Sequence, residues 1–360
     1  MRIERLRGTG LRNLLSFDLA PAARANWIVG DNGAGKTALL EGIYLIARGR
    51  SFRGRKQGQI VSHGASGCRL DAWIRHPARG LERGSWTEIV GAKSSAQTSA
   101  ARTEEARDLP AVATREHEHG GLAVRLVGDA AQRLIDGDPA LRRRFVDWNL
   151  LLIEGSFGAT LTRFRRVQAQ RNAWLRAGAA GPPIWDEEYA DAAERIAAWR
   201  ADYFTRLTSA FAEYTKQTDL LVDVRPFWHS ETATRSILQA LRDTLAGDRT
   251  RGFTFAGPAR ADFSFRCRDR TWVGSRGENK LAAIILQLAA DRLHHEATGE
   301  HAVWLVDDLR AELGTSFYRR AQTVMLAEEN RQVFFTSLYL PERDDAAVFH
   351  VEQGNIGVMP

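Results

Sequence analysis

Gly30-Asp31-Asn32-Gly33-Ala34-Gly35-Lys36-Thr37 constrains this chain more than any other stretch. It fits G-x-x-x-x-G-K-[ST], with an apolar run, Trp27-Ile28-Val29, directly before it and a helical pattern directly after. The glycines let the backbone turn tightly and aim its N–H groups at phosphate oxygens, and the positive end of the next helix adds to them. Lys36 is placed to reach the β- and γ-phosphates, and the Thr37 hydroxyl to take a magnesium site. All eight residues from Gly30 to Thr37 therefore belong to the expected nucleotide site. A glycine-rich turn that merely caps a helix leaves Lys36 unexplained.

Lysine is otherwise rare here. Of 50 basic side chains, 45 are Arg and five are Lys (Lys36, Lys56, Lys93, Lys216 and Lys280). Codon usage in a GC-rich genome accounts for most such skews, and a net charge of +6 is too small to argue for a polyanionic partner. The 360 residues are 44% hydrophobic, enough for a sizeable core in one large domain or two ordinary ones. Two cysteines, Cys68 and Cys267, exclude a disulfide framework and a zinc site, and fit a reduced, cytoplasmic protein. The start has no apolar leader, and the longest apolar run, Leu281 to Ala290, reads as a buried helix; no membrane partner is expected.

Two further elements extend the site. Val303-Trp304-Leu305-Val306 is an apolar strand that ends in Asp307-Asp308. Asp307 is placed to hold Mg²⁺ and Asp308 to polarise an attacking water, so Asp308 and Lys36 are the expected catalytic pair. Gly274-Ser275-Arg276-Gly277-Glu278-Asn279-Lys280 precedes the apolar helix. It reads either as a polar turn with a helix cap or as a signature sequence, whose Ser275 hydroxyl and Gly277 helix N-terminus bind the γ-phosphate held by a second protomer.

Apolar patterning predicts strands at 3–6, 15–19, 27–29, 68–75, 86–90 and 122–127, with a helix over 39–47 that stops at Gly49. From Lys93 to Gly121 the composition reads as a long exposed loop. Residues 139–247 are mostly helical, with a break at Gly178 to Pro183. Strands are expected at 253–255, 262–267, 303–306 and 332–335, and helices at about 277–295 and 316–329. The lobes expected are 1–138 and 248–360 for the nucleotide-binding part and 139–247 for a helical insertion.

As a whole the chain resembles the RecF family, recombination-mediator ATPases related to SMC and Rad50 heads. Besides the three motifs, the resemblance rests on Gly10-Leu11-Arg12-Asn13, on Leu39-Leu40-Glu41-Gly42-Ile43-Tyr44 through Arg53, and on Leu134-Ile135-Asp136-Gly137-Asp138-Pro139 through Trp148. It also rests on Gln170-Arg171-Asn172 and Gly257-Pro258-Ala259-Arg260-Ala261-Asp262. It implies an α/β fold: an ABC-type P-loop ATPase head with an inserted, mostly helical second lobe. It implies ATP and Mg²⁺ as cofactors, an ATP-dependent homodimer on single- and double-stranded DNA at gaps or junctions, and slow hydrolysis. RecR and RecO are the implied partners, in loading RecA.

The sequence departs from the family in several places. Ala311-Glu312-Leu313-Gly314 replaces Ser-Glu-Leu-Asp, removing the carboxylate of the cross-dimer contact. Ala259 stands for His, Gly274 for an apolar residue, and Asp129-Ala130 for the Pro-Glu that would make Gln132 a Q-loop residue. Thr336 is the candidate γ-phosphate sensor. The alternatives are a diverged RecF-like ATPase with impaired hydrolysis and different partners, and a small-molecule kinase on the same phosphate loop.

The basic run Arg48 to Lys56 suits either a solvated face or DNA phosphates. Arg142-Arg143-Arg144 suggests a salt bridge to Asp147 or a place at a lobe interface, with DNA contact as the second reading. Arg163, Arg165, Arg166 and Arg171 share a helix and read as a solvated stripe. The ten tryptophans read mostly as core. His117, His119, His294 and His295 lack metal-ligand spacing.

Overall fold

The computed structural model describes residues 1–53, 60–89, 121–178, 181, 183–227, 236–341 and 346–359. Most of the 93–121 loop, the end of the basic run with Arg55 and Lys56, His117, His119 and the Gln132 side chain lie outside the described residues. Two compact units emerge: Met1–Ala131 with Ser275–Pro360, and Gln132–Gly274.

The first unit is built on a six-stranded sheet of order β13-β12-β3-β11-β10-β6. Its strands are β3 (Ala25–Val29), β6 (Val124–Val127), β10 (Val303–Val306), β11 (Val333–Ser337), β12 (Ala346–Glu352) and β13 (Asn355–Val358). All neighbours run parallel except β12 and β13. β3, β10 and β11 are buried at every residue, which is why they carry the apolar runs Trp27–Val29, Val303–Val306 and Val333–Phe335. The terminal pair β12–β13 was not legible in the sequence.

Helix α1 (Lys36–Arg48) follows β3 and ends at Gly49 in a left-handed cap. A second sheet, of order β2-β1-β4-β5, is wholly antiparallel: β1 (Arg2–Leu11), β2 (Leu14–Leu19), β4 (Gly67–His76) and β5 (Gly80–Ile89). Its inner face meets α1 so closely that a Cβ on Gly84 would lie 2.9 Å from Ile46. Its outer face is open to water, and the alternation of buried and exposed residues along β1 records the two sides.

The second unit holds α3 (Pro139–Ile153), α4 (Phe157–Arg176), α5 (Asp186–Thr218) and α6 (Ile237–Arg251). A short helix, α2 (Asp129–Asp136), leads into it. Asp138 caps α3 through the Ala140 amide, with Pro139 in the first turn, and Ser236 caps α6. The helical stretch is interrupted by β7 (Asp223–Phe227), which pairs with β8 (Asp262–Cys267), itself paired with β9 (Arg270–Thr271). This unit runs on to Gly274 instead of ending near residue 247, because Phe263 and Phe265 of β8 pack against Phe204 and Phe211 of α5, at ring-centroid distances of 5.2 and 6.2 Å.

Other local expectations are corrected. Residues 253–255 are irregular, not a strand: the amides of Thr254 and Phe255 bond to the side chains of Asn172 and Asp248, at 2.8 and 3.0 Å, and not to a neighbouring strand. Asp147 takes its bidentate partner from Arg200 on α5, at 2.7 Å, while Arg142 pairs with Asp262 and Arg143 donates to the Ala261 carbonyl. Arg171 is fully buried rather than part of a solvated stripe, and binds Asp186 and Asp248 at 2.7 and 2.9 Å. Of the nine described tryptophans only Trp27, Trp148 and Trp304 are buried; the rest are half-buried.

Candidate nucleotide site

Parallel pairing sets β3, β11 and β10 side by side, so the residues at their C-terminal ends converge, where open α/β sheets bind ligands. After β3 the chain turns through Gly30 to Gly35 into α1. A Cβ on Gly30 would lie 2.2 Å from the Val351 carbonyl oxygen, so no other residue fits there. Gly35, at φ 125°, opens the helix in a backbone region other residues avoid. No side chain caps α1 and no acidic residue occupies its first turn, which leaves its amides and dipole for an anion.

The Lys36 ammonium donates to the carbonyls of Gly30 and Asp31 at 2.7 and 2.9 Å, and so lies against the loop. Burial lowers its pKa from the ordinary lysine value, against the charges of Asp308, Asp307 and Asp31. The Thr37 hydroxyl donates to Asp307 at 2.9 Å, and the Thr336 hydroxyl, one residue beyond the β11–β10 pairing, donates to the same oxygen at 2.8 Å. Thr336 also accepts from the Asp308 amide at 2.8 Å, fixing a turn in which Asp308 sits at φ 44° and its side chain faces solvent. The two ends of the chain thus meet at one set of oxygens. A hydroxyl and a carboxylate this close are the hard ligands magnesium takes, beside a lysine and a helix N-terminus for phosphates, so the residues fit MgATP.

The motif Arg12-Asn13, legible only as part of the resemblance, has a physical role. The Asn13 amide donates to the carbonyls of Gly33 and Ala34 at 2.8 and 2.9 Å, bracing the loop from outside. Arg12 forms a bidentate pair, at 2.7 and 2.9 Å, with Glu41 of α1, which is fully buried. Neither link has a local spacing signal, since both join residues at least twenty positions apart.

Ser275 and Gly277 are placed elsewhere. Ser275 is the exposed N-cap of α7 (Arg276–Thr298), in a capping box: its oxygen accepts from the Glu278 amide and the Glu278 carboxylate from the Ser275 amide. Among the described residues, no hydrogen bond or ion pair joins Ser275 or Gly277 to the phosphate loop. Gly314 is the exposed N-cap of α8 (Thr315–Met325), and no side chain caps that helix.

A P-loop, an acidic strand end and a capped helix on a mixed sheet define the head of an ABC-type ATPase. No family model matches the chain. The RecF protein of Chromohalobacter salexigens is 34% identical over 377 residues, covering 99% of each chain, and that of Stutzerimonas stutzeri is 32% identical, covering 99% and 97%. Both are named DNA replication and repair proteins. A solved structure of the recombination mediator RecF with ATP shares the fold at TM-score 0.78 and 22% identity, covering 99% of this chain and 97% of that one. An SMC head bound to the C-terminal winged-helix domain of ScpA superposes at TM-score 0.55 and 14% identity. The chain belongs to the RecF family.

Proposed function

We propose that this chain is an ATP-dependent DNA-binding protein of recombinational repair and replication restart, a slow ATPase that works as a homodimer. The reading rests on one observation above all: Thr37, Thr336 and Asp307 meet at one carboxylate oxygen beside Lys36. Gly30 to Thr37 bind the triphosphate, and Thr37 and Asp307 hold Mg²⁺. The metal supplies charge neutralisation at the β- and γ-phosphates. Lys36 stabilises charge on the transferred phosphoryl group, and Asp308 orients and polarises the water that attacks it. Thr336 holds Asp307 and the Asp308 amide in register.

Ser275 and Gly277 of the partner protomer complete the site. The capping box uses the Ser275 oxygen as an acceptor, leaving its O–H to donate to a γ-phosphate. Gly314 offers no carboxylate to the facing protomer, which supports weak hydrolysis, and DNA stimulates it. Gapped DNA, RecR and RecO are the partners that family membership supports, in the cytoplasm.

Sizing with and without ATP tests the reading. The wild type should dimerise with ATP, and Lys36→Ala and Ser275→Arg should both stay monomeric. Losing the ammonium removes a charged hydrogen bond of about 1.5–3 kcal/mol, or roughly 10- to 150-fold in ATP affinity. A monomer that phosphorylates a small acceptor overturns the proposal.

A further inference from the structure

The open face of the antiparallel sheet in the first unit carries six arginines: Arg2, Arg5 and Arg7 on β1, Arg69 and Arg75 on β4, and Arg83 on β5. Their side chains are 45% to 61% exposed. Among the described residues three carboxylates answer them, each shared by two guanidiniums. Asp18 takes Arg5 and Arg7, both at 2.7 Å. Asp71 takes Arg69 and Arg83 at 3.1 and 2.7 Å. Glu4 takes Arg2 and Arg75 at 3.2 and 2.7 Å. Each trio therefore keeps one positive charge. Trp73 lies among them, with Arg5, Arg7 and Arg83 at 5.4, 5.8 and 5.4 Å from its ring.

The lattice holds its guanidiniums in place while satisfying half their charge. Arginine has five donors in a planar fork, so one shared carboxylate leaves donors facing water. Hydrogen bonds from Arg5 and Arg7 keep the Asp18 carboxyl below the usual carboxylate range, so this trio stays paired at any physiological pH. Rigid strands beneath remove part of the ordering cost of binding. Trp73 is overlaid by arginines and the exposed Leu81 beside Arg75 lies at the edge strand, so apolar area on this face is small against its six guanidiniums. It offers a broad field of oriented cations, which suits repeating phosphates.

We propose that this face binds the sugar–phosphate backbone of DNA, independently of base sequence. The inference rests on the DNA-binding reading above and adds the surface that does it.

The test is the salt dependence of binding to a short duplex, with ATP, for three full-length proteins. In the triple variant Arg2→Gln/Arg7→Gln/Arg69→Gln every carboxylate keeps one partner and the face becomes neutral. Affinity should fall by at least about tenfold, and the slope of log affinity against log salt should flatten by roughly 2–3, about 0.9 per lost phosphate contact. Glu4→Gln/Asp18→Asn/Asp71→Asn doubles the net charge of the face and should tighten binding and steepen the slope. ATP affinity should be unchanged in both. A folding defect moves both variants the same way, so weakened binding in both overturns the inference. So does one slope shared by all three proteins while the wild type binds, and that result leaves the reading above standing. A wild type that binds no DNA at low salt overturns that reading and this inference with it.

Discussion

The open sheet face and the interior of the helical unit use arginine in opposite ways. On the face, one carboxylate serves two half-exposed guanidiniums. Inside the helical unit, the fully buried Arg171 binds both Asp186 and Asp248, and Asp248 is itself fully buried. Access to water separates the two regions more than the ratio does. In the first unit, Asp291 is fully buried with Arg125 and Arg331, at 3.1 and 2.9 Å, again one carboxylate to two guanidiniums. It also bonds His301 and the Ala302 amide, while Arg125 donates to Gln287 and Arg331 to the Met325 carbonyl, so protein groups rather than water surround these charges. Burial raises the Asp291 pKa, but His301, Arg331 and Arg125 outweigh it and hold the group well below the ordinary value. A guanidinium in water can exchange its carboxylate for another anion, whereas a buried one cannot let go without stranding a charge.

The largest expected effect comes from breaking the buried side of this contrast. Arg171→Ala takes Asp186 from its guanidinium and leaves the buried Asp248 with Arg251 and the Phe255 amide, and should cost about 3–5 kcal/mol in chemical denaturation. A loss below about 1 kcal/mol would place Arg171 with the surface pairs.

A smaller effect concerns a buried group that avoids charge altogether. Burial and the charge of Arg125 lower the His294 pKa to about 4, against Asp291 and Glu300. The unfolded chain takes up this proton near pH 6.5, while the folded protein resists until about 4. Stability should therefore be full above pH 6.5 and fall as pH drops, by up to about 1.4 kcal/mol per pH unit, or roughly 2 kcal/mol by pH 5. His294→Gln should flatten that part of the curve; a parallel curve would refute the assignment.

The smallest effect is expected at an exposed pair of the helical unit. Arg163, 42% exposed, bonds Glu188 and Asp191 at 2.8 and 2.9 Å. Arg163→Ala should change stability by less than about 1 kcal/mol. A cost approaching that of Arg171→Ala would dissolve the distinction.

Much of the nucleotide site was legible because its information is local. The phosphate loop lies within eight residues, its flanking strand and helix follow directly, and Asp307 ends a strand whose burial shows in four consecutive apolar residues. The α/β class followed from the same patterns. The edge pair β12–β13 escaped because its strands are mostly half-exposed and the short apolar stretch from Ala346 to Phe349 gives way at once to His350, Glu352 and Gln353. Residues 253–255 looked like a strand by composition, yet Asn172 and Asp248 took their amides. Arg163 and Arg171 stand eight residues apart on α4, one exposed and one buried; periodicity gives a side chain's face, not what packs over it.

By itself, then, the sequence determined the chemistry at hand: a phosphate loop, a lysine kept where arginine is the rule, and two carboxylates at a strand end. Backbone geometry and residue type suffice for these, since each acts within one turn of chain. Only the tertiary structure decided that Thr336 and Thr37 share an Asp307 oxygen, that Asn13 braces the loop, and that six scattered arginines form one open face. Those relations join residues tens or hundreds of positions apart, where strand pairing and burial, not local propensity, choose the partner.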